Sequence, residues 1–171
     1  MKMHAETAER HTLSILVDNE PGILARIAGM FTARGYNIES LTVTDVSEDE
    51  AVSRITTVNS GSPHVIEQII AQTERQVPVH KVTDLTALGP HVERDMALVK
   101  VAGTGEHRIE ALRLADVYRA RVVDATTSSF VFEVTGTSEK VDMFIDLMRE
   151  VGLVEVARTG VVAIGRGKEA G

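Results

Sequence analysis

The order in which two apolar periodicities alternate constrains this chain more than any single motif. Leu13, Ile15 and Val17 alternate as in a strand, and Ile23, Leu24, Ile27, Ala28 and Phe31 then recur on one helical face. Residues 37–46 and 51–59 return to strand character around the charged turn Ser47-Glu48-Asp49-Glu50. Ser60-Gly61-Ser62-Pro63 breaks the pattern and opens a second helix with Val65, Ile66, Ile69, Ile70 and Thr73 at 3.6 spacing. Val77 to Leu85 reads as a fourth strand, whose Pro78 suits an edge or a strand start. This is β-α-β-β-α-β in about 75 residues, the split βαβ or ferredoxin-like order. The order then repeats. Met96–Val101 is a strand, and Glu106–Arg119 a helix with Ile109, Leu112 and Ala115 inward. Val122–Thr126 and Phe130–Thr135 flank the Thr127-Ser128-Ser129 turn, and a helix carrying Val141, Phe144, Ile145 and Met148 stops at Gly152. Leu153–Arg158 is a strand, and Val161–Ile164 continues it or pairs beside it. The chain is thus read as α+β, with two tandem ferredoxin-like βαββαβ domains at 1–84 and 94–171, a linker at 85–93, and a flexible terminus over 1–11.

Within this frame the corner Val17-Asp18-Asn19-Glu20-Pro21-Gly22-Ile23-Leu24 joins the first strand to the first helix. Proline beside glycine turns the backbone sharply, and the first helical amides have no intrahelical acceptor. Such amides hold a small anion such as a carboxylate. Asp18 and Asn19 supply side-chain oxygens and an amide, either to cap the helix or to touch a ligand. One helix later, Arg34-Gly35-Tyr36-Asn37-Ile38-Glu39-Ser40 forms a counterpart, with Gly35 where a helix-terminating glycine belongs. The loop at 18–22 and Asn37 converge on one small polar ligand, against an apolar wall of Ile23 and Ile38, if they meet either within one sheet or across a subunit boundary. The second strand carries Ile38, Leu41, Val43 and Val46 on both faces, as a surface covered by a neighbouring subunit does. The second repeat has Gly103-Thr104-Gly105-Glu106 at the equivalent corner, so only the N-terminal copy is expected to carry the site.

Other chemistries lack their residues. A net charge of −7 opposes nucleic-acid binding, which needs a basic surface. There is no cysteine, hence no disulfide, thiolate metal site or thiol nucleophile. His4, His11, His64, His80, His91 and His107 are scattered, with no His-x-x-x-His pair, so no metal is expected. Gly103-Thr104-Gly105 lacks the third glycine of a dinucleotide fingerprint, position 108 being Arg108. No serine sits in a Gly-x-Ser-x-Gly elbow, and Glu48-Asp49-Glu50 reads as a solvated hairpin tip. No stretch approaches ~20 apolar residues, and the start is polar, which points to the cytoplasm and away from a membrane. Aromatics are 4% of the chain without tryptophan, so the cores are expected to be aliphatic.

Three blocks carry a resemblance: Arg34-Gly35-Tyr36-Asn37-Ile38-Glu39-Ser40-Leu41-Thr42-Val43, His91-Val92-Glu93-Arg94-Asp95-Met96-Ala97-Leu98-Val99-Lys100, and Val154-Glu155-Val156-Ala157-Arg158-Thr159-Gly160-Val161-Val162. With the Asp18–Gly22 loop, which resembles the ligand loop of amino-acid-binding ACT domains, they resemble the bacterial acetolactate synthase small subunits over about residues 10–167. The resemblance implies an N-terminal ACT domain on a non-catalytic regulatory subunit. It implies a separate catalytic subunit that holds thiamine diphosphate, Mg²⁺ and FAD, with no cofactor on this chain. That subunit would be activated by this chain and made sensitive to valine or another branched-chain amino acid. Carried over by position, Asn19 and Gly22 hold the amino acid, and Asn37 with Ile38 completes the site across a homodimer interface. Pro21 stands where the family has serine, alanine or proline, and it removes one backbone donor. The ligand's carboxylate is expected on the amides near Gly22 and Ile23, its ammonium near Asn19 and Asn37, and its side chain on Ile23 and Ile38. The alternative is a free-standing ACT-type sensor acting on another enzyme or a transcription factor, although the chain offers no helix-turn-helix or basic face.

Overall fold

The computed structural model describes residues 7–169. Residues 1–6 of the terminus expected to be flexible lie outside that range. The chain divides into two compact units, one running to Val92 and resuming at Val162, the other spanning Glu93–Val161.

In the first unit β1 (Glu9–Asp18), α1 (Ile23–Ala33), β2 (Ser40–Asp45), β3 (Val52–Gly61), α2 (Pro63–Glu74) and β4 (Val79–Asp84) form an antiparallel sheet in the order β2-β3-β1-β4. The first strand starts at Glu9, three residues before Thr12, because Glu9, Arg10 and His11 pair with Gly61, Ser60 and Asn59. Leu13, Ile15, Val17 and Ile55 point from the sheet into Ile23, Ile27, Met30 and Phe31 of α1 and into Ile66 and Ile69 of α2. β4 is an edge strand with Pro78 just before it, where a missing N–H breaks no ladder. α2 opens on Ser62, whose hydroxyl accepts from the Val65 amide, with Pro63 in the first turn. Residues 85–93 form a short helix, α3 (Leu85–Leu88), and the start of β5 (His91–Ala102). α3 packs on β1 and on β9 (Val162–Gly165), away from the helical core.

The second unit repeats the order. β5, α4 (Gly105–Val117), β6 (Arg121–Ala125), β7 (Ser129–Gly136), α5 (Ser138–Glu150) and β8 (Leu153–Arg158) give the sheet β6-β7-β5-β8, with β9 pairing to β5. In both sheets the register between first and last strand shifts near the end, at Leu16/Val17 and at Lys100/Val101, so the repeat extends to its irregularities. β5 begins five residues before Met96.

Two expectations change. The inward residues of α4 are Ala111 and Ala115, supported by Leu114 and Tyr118, whereas Ile109 is 59% exposed and Leu112 41%. Apolar residues lie around most of this helix, so the spacing alone does not single out the buried face. The cores are not purely aliphatic either: Phe31, Phe130, Phe132 and Phe144 are all buried, with the Phe132 and Phe144 rings edge-to-face at 6.1 Å. Among the described residues no helix is long and apolar enough to cross a membrane, and no cluster of three or more His, Asp or Glu is placed to hold a metal ion.

Candidate functional site

The corner is built by β1 running into α1 beside two neighbouring strands. Asp18 donates its amide to the Pro78 carbonyl at 2.8 Å, and Asn19 donates its amide to the Ala51 carbonyl at 2.8 Å. The Asn19 side chain also donates to the Glu50 carbonyl at 2.8 Å, and His80 Nε2 meets Asp18 Oδ1 at 2.6 Å. Neither Asp18 nor Asn19 caps α1, whose N-cap is Gly22 at φ +84° with no side-chain cap. Both side chains instead tie the corner to the flanking strands. A Cβ on Gly22 would meet nothing within 4 Å, so glycine is required there by the backbone conformation and the space above it is open.

The amides decide what this corner can do. Ile23 donates to the Glu20 carbonyl at 3.2 Å and Arg26 to the Gly22 carbonyl at 3.0 Å. Among the described residues the amides of Gly22, Leu24 and Ala25 have no acceptor, and Pro21 has no N–H. The first turn of α1 carries no acidic residue, so the positive end of the helix is not served by its own side chains. The equivalent helix α4 has Glu106 in its first turn. An anion therefore has donors at the first corner and competition at the second. Ile23 is buried in the core, whereas Leu24 is 40% exposed and flanks the open amides.

Asn37 and Ile38 lie elsewhere. The Asn37 carbonyl accepts from buried Asn59 Nδ2 at 2.8 Å, and half-buried Ile38 packs on the core of the first unit. Ala51, which holds Asn19, just precedes β3, and Asn59 lies near the far end of that strand. Eight positions at about 3.3 Å each separate them by roughly 26 Å. Within one chain the two halves are at opposite ends of β3, and no single amino acid touches both.

Several residues that hold the corner left no sequence signal. Glu50 and Ala51 act through carbonyls, in the turn that read as a solvated tip. Glu50 sits at φ +56°, and the Ser47 hydroxyl and the Ala51 amide hold the Asp49 carboxyl below its ordinary range. His80 was one of six scattered histidines; its role needs the β1–β4 pairing to be seen.

Residues 13–81 match the family described as the AHAS small subunit-like ACT domain, and residues 94–167 match that described as the small subunit of acetolactate synthase. A probable acetolactate synthase small subunit from Archaeoglobus fulgidus is 46% identical over 94% of this chain and 99% of its own. This chain belongs to the acetolactate synthase small-subunit family. The isozyme 3 small subunit of Escherichia coli is 43% identical over 92% of this chain and 96% of its own. The crystal structure of the acetolactate synthase small subunit from Thermotoga maritima superposes with a TM-score of 0.84 at 38% identity, covering 94% of this chain and 99% of that one. Small-subunit membership extends through both units, and the ACT match contains the whole corner as well as Asn37 and Ile38.

Proposed function

We propose that this chain is the regulatory subunit of an acetolactate synthase in branched-chain amino acid biosynthesis. It activates a catalytic subunit and makes it responsive to valine bound between two ACT domains. The observation that carries this reading is the pairing of unbonded amides at Gly22, Leu24 and Ala25 with a second half-site about 26 Å away on the same chain. A ligand that uses both halves needs two copies. β2 supports a homodimer: it is an edge strand, and Val43 within it and Val46 just after it are 42% and 46% exposed.

The ligand's carboxylate takes the amides of Gly22, Leu24 and Ala25, the Ile23 amide being already engaged by Glu20. Its ammonium lies near Asn19 of one copy and Asn37 of the other, and its side chain meets Ile38 and Leu24. Valine then stabilises one fit of two subunits, and inhibition follows if that fit supports the catalytic subunit less well. Thiamine diphosphate, Mg²⁺ and FAD belong in this reading to the catalytic subunit, and the assembly works in the cytoplasm.

The test combines calorimetric titration with valine, leucine and isoleucine and reconstitution of the large subunit with and without this chain. Saturable heat with at least one amino acid, and large-subunit activity that rises on adding the chain, are expected. No heat with any of the three together with no effect on activity would refute the reading.

A further inference from the structure

The geometry points to a second small-molecule site, on the face of the first sheet turned away from α1 and α2, for a short aliphatic monocarboxylate. A cavity of about 530 Å³ lies among β4, α3, the Gly89-Pro90-His91 turn and the residues following β9. None of Asp18, Asn19, Gly22 or Asn37 lines it. Its volume falls in the range of small-ligand pockets.

Leu85, Leu88 and Pro90 give the cavity an apolar wall. The charged residues are Lys81, Asp84, Arg166 and Glu169, beside half-buried His91. Asp84 is consumed: Oδ1 accepts from the Ala87 amide at 3.0 Å, and Oδ2 meets His11 Nδ1 at 2.7 Å. The side chains of Lys81, Arg166 and Glu169 have no ion pair or hydrogen bond among the described residues. The formal charges of the wall balance, but both Asp84 oxygens are engaged, so two unengaged cationic donors meet one unengaged carboxylate, a surplus of donors that suits a monoanion better than a zwitterion.

Thr83, also in the wall, is 7% exposed, and its hydroxyl has no partner. Its register partner Ser14 is 2% exposed with an equally unpartnered hydroxyl. A 120° step of Thr83 about χ1 carries the hydroxyl to another staggered position, from which it donates to a ligand in the cavity. A carboxylate held by Lys81 and Arg166 accepts that donor, and its hydrocarbon tail lies on Leu85 and Pro90.

The test is titration of the ¹⁵N-labelled full chain with 3-methylbutanoate, read at the amides of Thr83, Leu85, Ala87 and Gly165. Saturable millimolar shifts there are expected, weakened about tenfold by Lys81→Gln and by Arg166→Gln, each losing one charge-assisted contact. Both side chains are exposed, so each variant folds, and the untouched resonances report it. The neutral 3-methylbutan-1-ol should bind about tenfold more weakly as well. Shifts confined to Gly22 and Ile23, no saturable shift, or unchanged affinity in both variants would overturn the assignment. Equal binding of the alcohol, or tighter binding of valine at the same amides, would also overturn it. Because the reporting amides differ from those of the corner, failure here is separate from failure of the regulatory reading.

Discussion

Gly22 combines a left-handed backbone with empty space where a side chain would go. Aspartate tolerates positive φ better than most residues, so Gly22→Asp should cost the fold only about 1 kcal/mol. It places a carboxylate over the amides proposed for the ligand's own. The variant is expected to activate the catalytic subunit normally and to lose its response to valine, as measured by acetolactate formation with and without the amino acid. Asn19→Ala should act in the same direction while also freeing the corner from Glu50; loss of activation in both variants would indicate a folding defect. Arg119 offers a stability test at the same scale. It follows α4 at φ +55°, where the Ala120 amide reaches back to the Ala115 carbonyl at 2.8 Å. Arg119→Gly should stabilise the chain by about 1 kcal/mol by removing the left-handed penalty, read as a rise in the midpoint of thermal unfolding.

At the scale of elements, β8 is fixed to the rest of the second unit at two points. Gly152 leads into β8 at φ +108°, and a Cβ there would lie 2.1 Å from the Ala102 carbonyl oxygen, which is backbone and cannot swing aside. Gly152→Ala should therefore cost more than about 2 kcal/mol in urea unfolding. At the other end Arg158 donates to Asp95, which is 3% exposed, as well as to Asp142 and the Ser138 carbonyl at the start of α5. Arg158→Ala strands that buried carboxylate and should cost about 3 kcal/mol, with Asp95→Asn in the same chain restoring part of the loss. The sequence showed these elements through their periodicities, and the order and pairing of all eight sheet-forming segments of the two repeats follow from it. It did not show α3, a single turn with no period of its own. Nor did it select the face of α4, where large apolar residues point outward and two alanines inward. Apolar residues lie around most of α4, so its period singles out no one face.

For the whole molecule, half of the candidate site was legible and half was not. Proline, glycine and a helical face announced the corner, whereas the length of β3 between Asn19 and Asn37 became visible only once the strand was paired. In the proposed reading, that length makes subunit association part of ligand recognition. Sedimentation should show a dimer whose dissociation on dilution is opposed by valine, and the shift should vanish in Gly22→Asp. A further consequence concerns inheritance of defects. In the proposed dimer, two-fold symmetry would give two sites, each taking its corner from one chain and its Asn37 from the other. Chains carrying only Gly22→Asp, or only Asn37→Ala, would each build dimers with no intact site. When the two are mixed, a hybrid dimer gathers both lesions in one site and leaves the other whole. Co-expression of two individually unresponsive alleles should therefore restore partial valine sensitivity.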